Sequence, residues 1–350
     1  MLYDIFSSFL KQTDPEFAHQ LAIKFLKNSF LPFDFFKSKD KDNLKQNIFN
    51  LTFNNPVGLA AGFDKNAEVY NSFYKLGFGF AEVGTITPKP QGGNAKPRVF
   101  RLVEDKAIIN RLGFPNEGMD IIKNRIIEQS AKGILGINIG PNKENATKID
   151  DYLKCFEGFY DLASYITINI SSPNTPNLRN LHDINKISEL IDAISSLRQS
   201  KNSNVPILYK LSPDIQKDEV EKLSEVFINK KIDGLILTNT SIQNKEHLTS
   251  DHKEENGGLS GSPINQISNE IIRSFFKYLK KQIPIIGVGG VSDAETAYEK
   301  IKCGASLLQL YTSMIFKGPY VASSINEDLS YLLEKDGFKN ISDAVGVNTN

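Results

Sequence analysis

The segment Gly234-Leu-Ile-Leu-Thr-Asn239 is apolar along both of its faces until its last two residues, which are polar. The segment Pro284-Ile-Ile-Gly-Val288 is similarly apolar later in the chain. A strand of this kind belongs to a parallel sheet that is covered on both sides, because a half-exposed strand alternates apolar and polar residues. The two segments therefore predict a parallel sheet whose strands end in polar groups.

Short β-branched runs like these alternate with amphipathic helical stretches from about residue 55 onward. This alternation is typical of βα units around a parallel sheet. Because eight units close a barrel, we expect an α/β fold of the (β/α)8 TIM barrel class, with an open sheet as the alternative. The expected strands are residues 55–62, 80–87, 133–140, 165–171, 206–212, 233–240, 283–290 and 307–313.

Capping residues and one long connection add detail to this pattern. Asp214 is a plausible cap for a helix at residues 215–227, and Ser292-Asp293 for a helix that reaches Lys302. The connection after the second strand is long and contains two short runs that predict an added hairpin, at residues 98–102 and 106–110.

The first forty residues differ from the rest. Apolar residues at helical spacing predict two amphipathic helices, at 2–10 and after a cap at Asp14-Pro15, and phenylalanines follow up to Phe36. We expect an N-terminal helical extension over residues 1–40 and the barrel domain over residues 41–350. From composition, the extension is either a helical cap on the barrel or an interfacial membrane anchor.

Composition excludes several classes of protein. Lys plus Arg and Asp plus Glu number 41 each and the sequence pI is near 6.9, so the overall basic charge of a nucleic-acid binder is missing. Cys155 and Cys303 stand far apart without metal-ligand spacing, so we expect no metal site and no disulfide. No apolar stretch is long enough to span a bilayer. Asp4 stands where a secretory signal would be basic, so the mature protein is expected to begin at Met1.

Polar residues at the strand ends point to the site, because TIM barrel enzymes place their active sites there. Asparagine is also a common turn residue, so each amide alone has two interpretations, but their shared position favours function. In chain order the strand ends supply Ala61 and Lys65, Thr85, Asn138, Asn169, Lys210, and Thr238-Asn239-Thr240.

Lys210 lies in the apolar strand Ile207-Leu-Tyr-Lys-Leu211, where an inward charge is costly unless a polar ligand meets it. The alternative is an outward lysine that extends past a helix. A flavin fits the inward interpretation, because its reduced form carries negative charge at N1 and C2=O that an ammonium group stabilises.

Glycines cluster at the last two strands, where barrels frequently bind a phosphate through backbone amides. Gly287-Val-Gly-Gly290 and Tyr311-Thr312 end these strands, and Gly257-Gly-Leu-Ser-Gly261 lies in the loop after the sixth strand. Together they predict a phosphate-bearing cofactor such as FMN.

With these residues assembled, the sequence resembles the membrane-associated, quinone-linked (class 2) dihydroorotate dehydrogenases. The resemblance implies oxidation of (S)-dihydroorotate to orotate, with bound FMN and a membrane quinone (ubiquinone or menaquinone) as acceptor, in de novo pyrimidine (UMP) biosynthesis. The matching stretches run through nearly the whole chain and are Asn55-Pro-Val-Gly-Leu-Ala-Ala-Gly-Phe-Asp-Lys65, Val83-Gly-Thr-Ile-Thr-Pro-Lys-Pro-Gln-Gly92, Pro97-Arg-Val-Phe-Arg-Leu102, Asn110-Arg-Leu-Gly-Phe114, residues 169–179, Lys210-Leu-Ser-Pro-Asp214, Thr238-Asn-Thr240, residues 257–261, Gly287-Val-Gly-Gly290 and residues 311–319.

The resemblance also implies binding residues. A cation and several amides complement a substrate that is a pyrimidine dione with a carboxylate. FMN contacts are implied for Ala61, Lys65, Thr85, Asn138, Asn169, Lys210, Thr238, Gly261, Gly290, Tyr311 and Thr312. Dihydroorotate contacts are implied for Lys65, Asn110, Arg111, Leu112, Gly113, Phe114, Asn169, Asn174, Asn239 and Thr240.

Ser172 is implied as the catalytic base that removes the C5 proton, where related cytosolic enzymes carry cysteine. Serine is a poor base in water, so this role requires a dry pocket and a proton relay, which the family pattern places near Thr175 and Phe114. On the residues alone, Ser171-Ser172-Pro173 could instead be a turn.

The resemblance further implies that quinone passes His19, Arg101 and Tyr311 on its way to the flavin. We expect a monomeric peripheral membrane protein on the cytoplasmic face of a bacterial inner membrane, since a transit-like presequence is missing, with the mitochondrial inner membrane as the alternative. Two other functions compete: a phosphate-sugar isomerase on the same barrel and a catalytically silent membrane-binding scaffold.

Overall fold

A computed structural model of the chain describes residues 13–27, 36–175, 178–243 and 245–349. The helix predicted at residues 2–10 and the phenylalanines at positions 30, 33 and 35 lie outside these residues. Within them, no helix is both long enough and apolar enough to cross a membrane.

Eight parallel strands close into a barrel in the order β3-β4-β7-β8-β9-β10-β12-β13, which confirms the predicted TIM barrel and rules out the open sheet. The remaining strands form a two-stranded sheet, β1-β2, and a three-stranded sheet, β11-β6-β5. The strands are β1 (Gln46–Ile48), β2 (Leu51–Phe53), β3 (Val57–Leu59), β4 (Phe80–Ile86), β5 (Val99–Leu102), β6 (Ala107–Asn110), β7 (Ile134–Ile139), β8 (Tyr165–Asn169), β9 (Ile207–Leu211), β10 (Gly234–Leu237), β11 (Gly258–Gly261), β12 (Ile285–Val288) and β13 (Leu307–Leu310).

The amino-terminal end of the barrel is filled by aromatic side chains. Phe53 of β2 packs edge-on against Phe80 at 5.2 Å between ring centroids, and Phe80 contacts Tyr165 in turn. A Cβ added at Gly58 or Gly136 would lie within 2.3 Å of one of these rings, so the rings occupy the space that side chains would need. Because this end is plugged, the carboxyl ends of the strands are left for a binding site.

The helices that surround the barrel alternate with its strands as predicted. They are α1 (Pro15–Leu26), α2 (Tyr70–Lys75), α3 (Met119–Gln129), α4 (Ile149–Phe159), α5 (Ile184–Ser200), α6 (Lys217–Asn229), α7 (Asn265–Leu279), α8 (Ala294–Lys302), α9 (Thr312–Lys317), α10 (Val321–Lys335) and α11 (Ile341–Ala344).

Two of the three predicted helix caps are confirmed, at Asp14 and Asp293, and the third is wrong. Asp293 accepts from Thr296 N at 3.0 Å at the start of α8. Asp214, however, is not a cap, since α6 begins three residues later with Gln216 at its N-cap. The carboxylate of Asp214 instead accepts from Arg179 at 2.8 Å, a charged partner that binds it more strongly than a backbone amide.

The extension helix α1 lies against the barrel with one face and exposes the other. Asp14 caps it by accepting from Phe17 N at 2.8 Å. Ile23 and Leu26 are buried, whereas the side chains of Phe17 and Phe25 are 56% and 54% exposed. Of the two helices predicted in the extension, the described residues contain this second one.

The predicted added hairpin is also present, as β5 and β6 with antiparallel pairing. It gains a third strand, β11, which the sequence did not reveal: Gly258 pairs with Asn110 and Gly261 with Ala107. The glycine-rich loop is thereby fixed to the hairpin. Both buried cysteines, Cys155 and Cys303, are free.

Candidate active site

The carboxyl ends of the barrel strands open into a cavity of about 1480 Å³, which α1 and the β5–β6 hairpin enclose from outside. The three residues expected at the quinone site, His19, Arg101 and Tyr311, all line it. All the expected FMN contacts line it except Asn138: Ala61, Lys65, Thr85, Asn169, Lys210, Thr238, Gly261, Gly290, Tyr311 and Thr312. All the expected substrate contacts line it except Arg111: Lys65, Asn110, Leu112, Gly113, Phe114, Asn169, Asn174, Asn239 and Thr240.

The floor of the cavity is a buried hydrogen-bond network between three strand ends. Thr85 Oγ1 donates to Asn138 Oδ1 at 2.6 Å, and Asn169 Nδ2 donates to the same Thr85 oxygen at 3.0 Å and to Asn138 Oδ1 at 3.2 Å. Asn138 is fully buried, so its amide acts behind the cavity wall by orienting Thr85 and Asn169. Because each side chain holds its neighbour, the polar groups that face the cavity are preorganised.

Glu82 is the centre of this network and was missed in the sequence. Its carboxylate is fully buried in β4 and accepts hydrogen bonds from four side chains. The donors are Asn138 Nδ2 at 2.8 Å, Tyr165 OH at 3.0 Å, Thr167 Oγ1 at 3.1 Å and Gln309 Nε2 at 2.7 Å. The available signal was a lone carboxylate within the otherwise uncharged run Phe80-Ala-Glu-Val-Gly-Thr85.

Two lysines bring positive charge to the cavity. Lys210 is 5% exposed and points inward, level with Asn169 of the neighbouring strand. Burial lowers its pKa, which the nearby Glu82 carboxylate raises in part. Burial likewise lowers the pKa of Lys65 to about 8, against the opposite influence of Glu16 and Asp64. Neither ammonium group has a hydrogen-bond partner among the described residues, so both are available to an anionic or carbonyl ligand.

The segment that follows β8 places Ser172 in the cavity wall with 5% of its surface exposed. Its Oγ accepts from Asn174 N at 3.3 Å. Ser171 does not line the cavity, and its Oγ accepts from Asn239 Nδ2 at 3.0 Å. Within the described part of the chain no carboxylate or imidazole hydrogen-bonds to Ser172 Oγ, so this is not a Ser-His-Asp arrangement.

The loop after β6 is held by amide side chains from the preceding connection. Asn94 Nδ2 donates to Arg111 O at 2.9 Å and to Asn174 O at 3.0 Å, which ties this loop to the Ser172 segment. Asn174 Nδ2 in turn donates to Asn110 Oδ1 at 3.2 Å. The Arg111 side chain turns away from the cavity to pair with Glu255 at 2.7 Å.

A partly buried ion pair joins α1 to the same loop system. Arg98 donates to both carboxylate oxygens of Glu16, at 2.9 to 3.2 Å, from Nε and Nη2. Its Nη1 donates to Gly92 O at 2.6 Å and to Asn94 O at 2.8 Å. The helix over the cavity mouth is therefore connected through Arg98 to the residue that positions Asn174.

Glycines of β11 and of the turn after β12 line the cavity. Gly261 and Gly290 have φ values of +103° and +75°, which favour glycine. A Cβ at Gly290 would lie 2.4 Å from Asn265 Cβ, and one at Gly261 would lie 3.0 Å from Thr312 Cγ2. The hydroxyl groups of Ser260 and Thr312 lie 2.8 Å apart beside Gly261. Such an end of the cavity suits a phosphate group.

The end of the cavity under α1 is aromatic. The His19 ring packs edge-on against Phe63 at 4.9 Å, and Phe63 packs against Tyr311 at 5.5 Å. Burial, reinforced by the charge of Lys65, lowers the pKa of His19 to about 3, so the imidazole is neutral at ordinary pH. Arg101 lines the same end, and burial lowers its pKa. A flat, largely apolar molecule fits this passage.

Comparisons with known proteins identify the family. A family model described as dihydroorotate dehydrogenase matches residues 43–333. A Bartonella tribocorum protein named dihydroorotate dehydrogenase (quinone) is 45% identical over 340 residues, which cover 96% of this chain and 94% of that protein. A protein of the same name from Parvibaculum lavamentivorans is 41% identical and covers 100% of this chain and 99% of its own length.

Solved structures agree with the sequence relatives. The crystal structure of DHODH from Eimeria tenella in complex with ferulenol has a TM-score of 0.92 at 39% identity, and the match covers 96% of each chain. A ligand-free structure of DHODH from the same organism has the same TM-score at 40% identity and covers 96% of this chain and 100% of that one. Fold, cavity and sequence lead to one conclusion: this chain belongs to the dihydroorotate dehydrogenase family.

Proposed function

We propose that this chain oxidises (S)-dihydroorotate to orotate in de novo pyrimidine biosynthesis, with bound FMN as cofactor and a membrane quinone as electron acceptor. The observation that carries the proposal is a pair of lysines, Lys65 and Lys210, that line one cavity with a buried amide floor and have no hydrogen-bond partner among the described residues. A phosphate-sugar isomerase would use the glycine end of the cavity but has no need of Lys210. The relatives named dihydroorotate dehydrogenase (quinone) support the choice.

The residues present fit FMN. Lys210 is a buried cation without a partner in the described ranges, and Gln309 Oε1 at the floor is a buried acceptor without a donor. Gly261 and Gly290 line the cavity with φ values that favour glycine, so a phosphate could approach their backbone closely. When bound there, FMN supplies the two-electron chemistry, because it takes up a hydride from one substrate and passes electrons to another.

The chain's own groups would orient dihydroorotate. Lys65 offers a cation to the substrate carboxylate, and Asn110, Asn174 and Asn239 offer amides to the dione edge. Because Asn94 and Asn110 fix the position of Asn174, its amide is held in place before substrate arrives. Arg111 would support this loop through its pairing with Glu255 instead of contacting the substrate.

Ser172 would take the C5 proton of the substrate at its Oγ. The Asn174 backbone N–H already donates to this oxygen at 3.3 Å, which places Oγ towards the cavity and limits its rotation. Its burial supplies the dry surroundings that a serine base requires. Thr175 is buried close by in sequence and would pass the proton on, with Phe114 closing the pocket.

Quinone would enter under α1 and pass His19, Arg101 and Tyr311. A neutral His19 and the aromatic pair Phe63–Tyr311 suit an uncharged ring. The exposed Phe17 and Phe25 would rest in the interface of the cytoplasmic face of a bacterial inner membrane. In this scheme residues 1–40 form the membrane and quinone part, residues 41–350 the FMN domain, and a monomer suffices.

A steady-state assay with different acceptors tests this proposal. Purified protein is given dihydroorotate with a short-chain quinone, with fumarate or with NAD+, and orotate formation is followed. We expect turnover with the quinone and none above background with the other two. Turnover with fumarate or NAD+ in preference to quinone would contradict the proposed acceptor, and no orotate with any acceptor would contradict the reaction.

A further inference from the structure

Another buried lysine, Lys300 of α8, lies outside the cavity and has no part in the function described above. Its side chain is fully buried. Nζ donates to Ser268 Oγ at 3.0 Å and to Asn269 Oδ1 at 2.5 Å. Both acceptors are neutral side chains of α7, and Lys300 forms no ion pair with a carboxylate in the part of the chain that the structure describes.

The first of these hydrogen bonds leads directly to the glycine turn after β12. Ser268 Oγ donates onward to Val288 O at 2.6 Å, and Val288 is the residue before Gly289. A Cβ added at Gly289 would lie 3.1 Å from Ser268 Cβ. The Ser268 hydroxyl therefore bridges the Lys300 ammonium and the residue that precedes this turn.

The second hydrogen bond leads to the same turn by another route. Asn269 Nδ2 donates to Asn265 Oδ1 at 3.1 Å, and Asn265 Nδ2 donates to Gly290 O at 3.2 Å. Side chains of α7 thus donate to the carbonyls of Val288 and Gly290, and Val288 O also accepts from Thr238 N at 2.9 Å. Carbonyl oxygens held in this way cannot turn towards an anion in the cavity.

The cost of burying Lys300 calls for an anion in its neighbourhood. An ammonium group taken out of water without a counter-charge is strongly unfavourable. Its stem also requires space, since a Cβ at Gly287 would lie 2.8 Å from Lys300 Cδ. Burial lowers the pKa of Lys300 to about 7, and the nearby Cys303 and Glu299 raise it only in part. A bound anion beyond the turn would restore its charge.

We propose that Lys300 is a positioning residue for the phosphate group of FMN. It supplies positive charge from behind the Gly289-Gly290 turn, and through Asn269 and Asn265 it holds the Gly290 carbonyl away from the phosphate. This inference rests on the proposed FMN binding and adds to it a residue that never touches the cofactor. The phosphate in turn offsets the charge that the fold has buried.

The test compares FMN with riboflavin, which has the same ring system and no phosphate. Wild-type holoenzyme and the variants Lys300→Met and Lys300→Gln are exchanged with each flavin, and both dissociation constants are measured from flavin fluorescence. We expect the ratio of the riboflavin constant to the FMN constant to fall by about tenfold or more in both variants, with riboflavin affinity unchanged. Thermal unfolding of the flavin-free protein should show variants no less stable than wild type, because an unpaired buried charge is removed.

Ser268→Ala is the matched control, since it removes one hydrogen bond and keeps the ammonium, and it should retain most of the preference for FMN. The inference is overturned if the Lys300 variants weaken the binding of both flavins equally or leave the ratio of the two constants unchanged. It is also overturned if Ser268→Ala loses as much of the preference for FMN as Lys300→Met does. Wild-type protein that binds neither flavin would overturn the proposed function as well, so the two failures are distinguishable.

Discussion

Neighbouring carboxylates raise the pKa values of the two cavity lysines, Lys65 and Lys210. Lys210 lies over a buried carboxylate, Glu82, that supports its charge. Lys65 lies near Glu16, which belongs to α1 and not to the barrel. The charge state of a group proposed to hold substrate therefore depends on the helix proposed to admit quinone.

This dependence predicts a pH profile. We expect kcat/KM for dihydroorotate to fall as pH rises through about 8, because the Lys65 ammonium that would hold the substrate carboxylate loses its proton there. In Glu16→Gln the fall should begin at lower pH, because Glu16 raises the pKa of Lys65. The measurement is kcat/KM as a function of pH, on both sides of pH 8, in the wild type and in Glu16→Gln. An identical alkaline limb in the two would contradict the role of Lys65.

Ser172 allows a second prediction. Anaerobic bleaching of the flavin by dihydroorotate should slow by about 100-fold or more in Ser172→Ala, since a positioned base contributes on that order. Ser172→Cys should recover part of the rate, because a thiol can also take the proton. Flavin content and orotate affinity are the controls and should stay unchanged. If bleaching in Ser172→Ala is nearly as fast as in wild type, Ser172 is not the base.

The roles of some site residues could be predicted from the sequence, and those of others depend on contacts between distant parts of the chain. Lys210 was predictable because a charge in an apolar strand is costly, and the same argument would have found Glu82. The outward turn of Arg111 was not predictable, because Glu255 lies far away in the chain and only the fold brings the two to 2.7 Å. Asn138 was predicted as a cofactor contact, and its place behind the wall depends on partners in two other strands, β4 and β8.

Among the secondary-structure elements, those with a strong sequence pattern were predicted correctly, whereas very short strands were missed. All eight barrel strands lie within their predicted runs, but the last ends at Leu310, since α9 begins at Thr312. The hairpin β1-β2 was missed because strands of three residues show no period. The strand β11 was missed because glycine makes up half of it and its pairing with β6 is non-local.

The exposed face of α1 gives a third prediction. Phe17→Ser with Phe25→Ser should lower binding to lipid vesicles on the order of 100-fold, because two large apolar side chains would lose their burial in the interface. Turnover with a water-soluble quinone should persist. Tyr331→Ser on α10 is the matched control, since its side chain is 65% exposed outside α1. Unchanged vesicle binding in the double variant would remove α1 from the membrane contact.

For the whole molecule, the barrel arranges residues from nearly the entire chain around one cavity. The cavity combines a glycine-rich part, two lysines with an amide floor, and an aromatic part beneath α1. The sequence predicted the barrel because alternating elements leave few ways to bury a parallel sheet. The link between α1 and the loop after β6, through Glu16 and Arg98, depends on contacts across 82 positions of the chain and needed the structure.

The most direct test of the account is an anaerobic visible spectrum of the purified protein, first alone, then with dihydroorotate and finally with quinone. We expect the absorption band of an oxidised flavin, its loss on addition of dihydroorotate, and its return on addition of quinone. Protein that carries no flavin and cannot be loaded with FMN, or flavin that dihydroorotate leaves oxidised, would contradict the account.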